Sequence, residues 1–289
     1  FDIFNGVVLL LLTIVTLYPF VNTLAVALNS GNDSIRGGIY LWPRVFTWGN
    51  FSYVFQEGQI FHSTMISILR TVIGTVFSVF STAMVAYTIS RPEFVLRKFV
   101  TLIFVLTMYL NAGIIPNYLL MKDLHLLNNF WVYIFPTLIS VFNMIIIRSF
   151  IEGLPEGIIE SARIDGAGDF ATFMKIVIPL SIPALATVAL FTAVWQWNSW
   201  FDVFLYNSSS DNLSTLQYEL MKILQNSNAS ISSKSTADAF SNTQASANFV
   251  TPTSIRASMT IVASVPIIMV YPFLQKYFVK GMNIGGVKG

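Results

Sequence analysis

Thr71-Val-Ile-Gly-Thr-Val-Phe-Ser-Val-Phe-Ser-Thr-Ala-Met-Val-Ala-Tyr-Thr-Ile-Ser90 runs without a single charged side chain. About 20 apolar residues in helical geometry are what a chain needs to cross the hydrocarbon core of a bilayer. The stretch is too continuous for a barrel strand, which alternates lipid-facing and lumen-facing residues over about 10 positions. An amphipathic approach from Gln59, past Arg70, extends it backwards. Moving outward, five more charge-free runs of comparable length appear: Ile3–Asn32, Phe99–Met121, Leu126–Ile147, Ile176–Phe201 and Ala257–Gln275. The pattern predicts an all-α integral membrane protein with six transmembrane helices, over 3–29, 61–90, 97–121, 126–148, 174–205 and 257–281, within one domain spanning 1–289.

Composition agrees. The chain has 289 residues, of which 54% are hydrophobic and 10% charged. Soluble domains carry about 25% charged residues. Mean hydropathy is +0.66. A single soluble core does not hide so much apolar surface behind so few charges, which excludes disorder, a fibrous protein and an ordinary soluble enzyme. The net charge of +2 is too small for a nucleic-acid binder. With no cysteine there is no disulfide framework, thiolate metal site or cysteine nucleophile. The first apolar run is too long for a signal-peptide core and has no small-residue cleavage pattern after it. A few residues are expected to precede Phe1.

Basic residues suggest an orientation. Arg91, Arg97, Lys98, Arg148, Arg163, Lys175, Lys276, Lys280 and Lys288 fall in one set of connections. Arg36, Arg44, Lys122, Lys222, Lys234 and Arg256 fall in the other. The positive-inside bias places the first set, and both termini, in the cytoplasm.

Two segments between spans stand out. Residues 206–256 form an outer loop rich in Ser, Asn and Thr. Leu213, Leu216, Leu220 and Leu224 recur there at helical spacing, predicting a short amphipathic helix, followed by a flexible polar stretch over 226–248. On the inner side, residues 152–173 read Glu152-Gly-Leu-Pro155-Glu156-Gly-Ile-Ile-Glu160-Ser-Ala162-Arg-Ile-Asp165-Gly166-Ala-Gly168-Asp-Phe170-Ala-Thr-Phe173. Pro155 followed by Glu156 and Glu160 suits a helix start, with acids near the positive end of its dipole. Asp165 and Gly166-Ala-Gly168 make a turn. A second helix then runs from Asp169 through Pro179 into the fifth span. This is a helix–turn–helix at the membrane surface.

Elsewhere little chemistry is visible. No phosphate-binding Gly-Lys loop and no His/Asp/Glu cluster at metal spacing occurs, and His62 and His125 stand apart. Arg70 reads either as a snorkelling interfacial residue or as part of a polar path.

The inner segment resembles the signature of permease subunits of binding-protein-dependent ABC importers: Glu-Ala-Ala, three residues, Gly, nine residues, Ile, one residue, Leu-Pro. Glu160, Ala162, Gly166, Ile176 and Pro179 fall at that spacing, with Ser161 for the middle Ala and Ile178 for Leu. Four further stretches resemble the sugar-importing branch: Ala86-Tyr87 with Arg91; Ile115-Pro116-Asn117-Tyr118 with Leu124-His125-Leu126, His125 standing where Gly is usual; Trp197-Asn198 with Phe201; and Gln275-Lys-Tyr277-Phe with Gly281 and Gly286. The resemblance is to the carbohydrate class related to the second membrane subunit of the maltose importer, nearest its oligosaccharide- and polysaccharide-importing subgroup.

That resemblance implies a type I importer permease fold in a bacterial inner membrane. It implies a second, homologous permease, two ATPase subunits below and an extracytoplasmic sugar-binding protein outside. ATP and Mg are expected on the ATPases and no cofactor or catalytic residue on this chain. The 152–173 segment would be the coupling helix, with Glu160, Ser161, Ala162, Asp165, Gly166, Phe170 and Phe173 meeting an ATPase. Glu160 is expected on one face with Ala162 and Gly166, and Phe170 and Phe173 as apolar anchors. Gripping a sugar takes hydrogen-bonding groups and aromatic faces. Trp195, Gln196, Trp197 and Asn198 in the fifth span, Tyr109, Asn111 and Asn117 around a helix irregularity at Gly113 and Pro116, and Asn143 in the fourth span are the candidates. The tryptophans read equally as an interfacial belt, and Asn143 as a bond between helices. A stand-alone secondary transporter or channel for a small polar solute is the alternative, weakened by the shortage of intramembrane carboxylates.

Overall fold

The computed structural model describes residues 2–57, 59–233 and 250–285. Among them the chain is helical apart from one isolated bridge between Asn29 and Phe46. The helices are α1 (Asp2–Ala27), α2 (Gly31–Ser34), α3 (Gly49–Glu57), α4 (Ile60–Ser90), α5 (Arg97–Tyr109), α6 (Ile114–Asp123), α7 (Val141–Glu152), α8 (Glu156–Ile164), α9 (Asp169–Thr172), α10 (Ile178–Leu180), α11 (Ile182–Asn198), α12 (Phe201–Tyr206), α13 (Leu216–Ser233) and α14 (Pro252–Gly285). Two 3₁₀ turns, Phe130–Tyr133 and Phe135–Thr137, precede α7, and a π turn, Phe173–Val177, joins α9 to α10.

The helices α1, α4 and α14 are each long and apolar enough to cross a bilayer. Three further spans are bent pairs, so six are reached by length and composition when each pair counts once. The segments expected as spans over 97–121, 126–148 and 174–205 are these bent pairs, the first broken at the irregularity expected around Gly113 and Pro116. Between α5 and α6 the axis turns by 119°, between the 3₁₀ turns and α7 by 51°, and between Asp169–Leu180 and α11 by 81°. The causes are local. Gly113 adopts φ +87° ahead of Pro116. Pro136 lies in the second 3₁₀ turn. Pro179 and Pro183 flank Ser181 and cannot donate to the helical ladder.

By contacts the described residues fall into two compact units, one drawn from 1–64 and 215–269 and the other from 65–214 and 270–289. In the first, Asn50 caps the end of α1 by donating to the carbonyls of Ala27 and Asn29, both at 2.8 Å. Arg44 pairs with Asp33 at 2.9 Å. The amphipathic helix expected in the outer loop is α13, with Leu216, Leu220 and Ile223 buried. It continues to Ser233, so the polar stretch expected over 226–248 begins as helix, since propagating a formed helix fixes only one residue per added bond. The rest of that stretch, 234–249, lies outside the described residues.

The second unit is built on Ala83, Ala86, Tyr87 and Ile89 of α4, Met144, Ile147 and Ile151 of α7, Ile159 of α8, Phe173, Val177, and Val188 of α11. Between lipid and protein the hydrophobic driving force is small, so van der Waals packing and polar contacts must hold this core together.

Candidate functional site

Helix α8 begins after Pro155, with Glu156 in its first turn. It ends in a Schellman cap, in which the Gly166 N–H donates to Arg163 O at 3.0 Å and the Ala167 N–H to Ala162 O at 2.9 Å. Gly166 sits at φ +79°, a region costly for residues with a Cβ. The helix is two-faced. Ile159 and Ala162 are buried, while Ile158, Glu160, Ser161, Ile164 and Asp165 are exposed, Ile164 by 86%.

This corrects two expectations. Ala162 points into the unit, so it shares no outward face with Glu160. Phe173 is only 2% exposed and packs on Tyr87 and Phe80, with ring centroids 5.4 and 6.0 Å away. Its ring joins the 152–180 segment to α4 and is not offered outward. Phe170 is exposed. Ser161 donates its hydroxyl to Gly157 O at 2.7 Å.

Arg163, which the sequence reading passed over, pairs with Glu93 of the connection between α4 and α5, and its Nη2 lies 3.5 Å from Asp169. The hydrogen bond from Arg163 holds the Glu93 carboxyl below its ordinary range, and the same bond raises Arg163. Arg91 lies over the Tyr87 ring at 5.1 Å. Ile158 and Ile164 were also missed, although an apolar residue in the last position of a glycine-capped helix, as Ile164 is, is a readable signal.

The second site is a buried polar cluster around Arg70, whose side chain is fully enclosed. Its Nε donates to Gln196 Oε1 at 2.8 Å. Nη1 donates to Ser199 O at 3.3 Å and to Asp202 Oδ1 at 3.2 Å, and Nη2 completes a bidentate pair with Asp202. The guanidinium also lies 4.6 Å from the centre of the Tyr133 ring. Asp202 accepts from Ser199 Oγ at 3.0 Å and sits in the first turn of α12, where the helix dipole favours an anion. Gln196 Nε2 donates to Thr137 Oγ1 at 3.1 Å and to Tyr133 O at 3.3 Å. Arg70 is therefore neither snorkelling nor on an open path: it is the centre of an ion-paired cluster. Gln196 is corrected likewise, from a sugar-facing group to a fully occupied internal bridge. Trp197 is buried.

Beside the cluster lies an open pocket of about 340 Å³, lined by Ser78, Thr137, Ile139, Ser140, Asn143, Phe191, Thr192 and Trp195. Of the expected path residues it gathers Trp195, half exposed, and Asn143, whose Nδ2 donates to Thr192 Oγ1 at 3.3 Å. Asn143 thus bonds two helices and also faces the pocket. Asn198 is exposed and donates to Val194 O at 2.8 Å. Tyr109, 81% exposed, and Asn111 and Asn117 flank the break before α6, away from this pocket's lining.

The profile of the family described as "binding-protein-dependent transport system inner membrane component" matches residues 68–284. The chain is 35% identical over 289 residues to the polygalacturonan/rhamnogalacturonan transport system permease protein YtcP of Bacillus subtilis (strain 168), covering 100% of this chain and 98% of that protein. It is 36% identical over 290 residues to protein LplC of the same organism, covering 100% and 95%. A chain of a bacterial ABC transporter involved in the import of the acidic polysaccharide alginate superposes with a TM-score of 0.80, at 29% identity over 96% of each chain.

Proposed function

This chain belongs to the family of binding-protein-dependent transport system inner membrane components, and we propose that it is the permease subunit of an ABC importer for an oligosaccharide or polysaccharide fragment. It pairs with a second, homologous permease to enclose the path. An extracytoplasmic binding protein delivers the sugar, two ATPase subunits bind ATP and Mg, and both termini lie in the cytoplasm. The chain itself carries no catalytic residue.

One observation carries this reading. A short helix outside the spans, α8, turns Ile158, Glu160 and Ile164 outward beside the exposed Phe170 of α9, while the buried Ile159 and Ala162 of α8 and Phe173 of the following π turn fix the segment to the unit's core. Exposed apolar side chains beside a carboxylate that forms no ion pair among the described residues call for a partner surface. Closure of the ATPases on ATP would push this rigidly mounted helix, and Phe173 on Tyr87 would pass the movement to α4. The pocket fits the cargo. A tryptophan face, hydroxyls and an amide suit neutral C–H and hydroxyl surfaces of a sugar. Its lining holds no charge, which leaves any sugar carboxylates to other subunits.

The test is ATPase activity of the purified complex in lipid, with its binding protein, across a panel of oligosaccharides. Stimulation by one sugar class is expected. A chain that purifies alone and moves solute without ATP would overturn the proposal in favour of a secondary transporter.

A further inference from the structure

We propose that Arg70 is a positioning residue for the sugar-facing pocket: through Gln196 it sets the rotation of α11 about its axis, and so the aim of Trp195 and Thr192. This rests on the importer reading above.

Helix α11 is unusual in being broken at both ends. An 81° bend at Ser181 separates it from α10, and extended backbone at Ser199 separates it from α12. At Ser181 the ladder is bridged by the bonds from Ser181 N–H to Val177 O and from Leu185 N–H to Ser181 O, both 2.9 Å, but at Ser199 extended backbone interrupts it, so backbone continuity does not fix the outer end of this 17-residue segment. Side-chain contacts must do so. Arg70 supplies a fully enclosed polar one. It grips α11 at Gln196, the break at the Ser199 carbonyl and the start of α12 at Asp202.

Gln196 cannot turn without losing its bonds. Its oxygen accepts from Arg70 and its amide donates to Thr137 and Tyr133. Gly74, one turn along α4 from Arg70, leaves the space that Gln196 occupies: a Cβ there would come within 2.6 Å of Gln196 Nε2.

The pocket residues follow from this. Successive residues of a helix are about 100° apart, and residues four apart share a face. With Gln196 held inward, Trp195 is turned to the pocket and Thr192 lies one turn away on it, bonded to Asn143. Thr137, which receives the Gln196 amide, also lines this pocket. A plain ion-pair staple would need only Asp202. The additional bond from Arg70 Nε to Gln196 is what reaches α11.

Two variants separate the roles. Arg70→Lys keeps a cation against Asp202 and removes the Nε bond to Gln196. Gln196→Met keeps the Arg70–Asp202 pair and removes the bridge. Each is assayed in the complete importer, in lipid with its binding protein, per assembled complex. The chain has no native cysteine, so nitroxide labels at Trp195→Cys and, as a control, Ile139→Cys report on the pocket lining from α11 and from outside α11.

The expected result is a fall of about tenfold in maximal transport, the scale of one charge-assisted hydrogen bond. The half-saturating sugar concentration, set by capture in the binding protein, stays put. The label at 195 changes its spectrum and the label at 139 does not. Wild-type transport per complex by both variants would overturn the proposal. So would equal changes at both labels, or failure of both variants to assemble, since Arg70 would then be an assembly staple alone. A wild-type complex that no sugar-loaded binding protein stimulates would instead sink the importer reading, while the label pair still reports on Arg70.

Discussion

Arg70 and Arg163 each meet a carboxylate, yet the two pairs occupy opposite environments. Arg70 has no exposed side-chain surface, and its bonds go to a carboxylate, an amide and a backbone carbonyl drawn from two helices and the break between them. Arg163 is 36% exposed and its partner Glu93 55%. A charge taken out of water requires almost every donor to be matched, and removing one partner strands the other. A charge in water is solvated either way, so its ion pair contributes little and exchanges readily. The buried pair thus suits fixed geometry. The exposed pair adds little to how firmly α8 is held.

Breaking the buried side should show the largest effect. Arg70→Met leaves Asp202 unpaired and should destabilise the chain by about 3–5 kcal/mol. The double change Arg70→Met with Asp202→Leu should cost clearly less, and thermal unfolding of the purified complex, run as a double-mutant cycle, measures the difference. Equal losses for the single and double variants would erase the contrast between the pairs.

On the exposed side, Gly166→Pro should act strongly by a different route. It forces φ from +79° to about −65° and removes the N–H that donates to Arg163 O. The effect is about 3 kcal/mol on the end of α8, with transport lost and membrane insertion retained. Transport and membrane yield measured side by side check this. Full transport by an assembled Gly166→Pro variant would end the coupling role.

A smaller effect, of opposite sign, is expected at His125. It closes α6 with the same cap that Gly166 gives α8, its N–H donating to Lys122 O at 3.0 Å while Leu126 N–H donates to Met121 O at 2.9 Å, but at φ +57° with a side chain present. His125→Gly should stabilise by about 1 kcal/mol, visible as a raised melting temperature.

Smallest is Glu93→Gln, about 0.2–1 kcal/mol. The Glu93 carboxyl is held below its ordinary range by Arg163. The pair's contribution is therefore complete above that range and fades as pH falls through the lowered value. Stability of wild type and variant should converge in acid. A gap unchanged down to strongly acid pH would remove Glu93 as its source.

Much of this organisation was legible in advance because it is local. Charge-free runs mark spans since hydrocarbon penalises any charge that is not paired, as Arg70 is with Asp202. Gly166 after Asp165 marks the end of α8 because a left-handed cap favours residues without a Cβ. The breaks were only partly legible. Gly113 with Pro116 announced one irregularity, whereas Pro179 and Pro183 inside a long apolar run did not reveal that the fifth span bends by 81°. Apolar length alone does not distinguish a straight helix from a folded pair.

Which faces were buried was the least legible. Glu160 and Ala162 look like one motif in the chain, but two residues along a helix turn by about 200°, so one faces out and the other in. Gln196 and Asn198 look equally polar, and only the position of α4 decides that Gln196 is enclosed.

The sequence by itself therefore determined that the chain crosses a membrane, roughly where, and that a capped helix pair stands between the fourth and fifth apolar runs. Each follows from neighbours within a few turns. Only the tertiary structure decided that Arg70 is a locked centre and not an interfacial anchor, because its partners Gln196 and Asp202 lie 126 and 132 residues away. Only it placed Trp195 toward a pocket and Trp197 away from it. Burial and pairing of this kind depend on which helix is brought alongside, and no local periodicity encodes that.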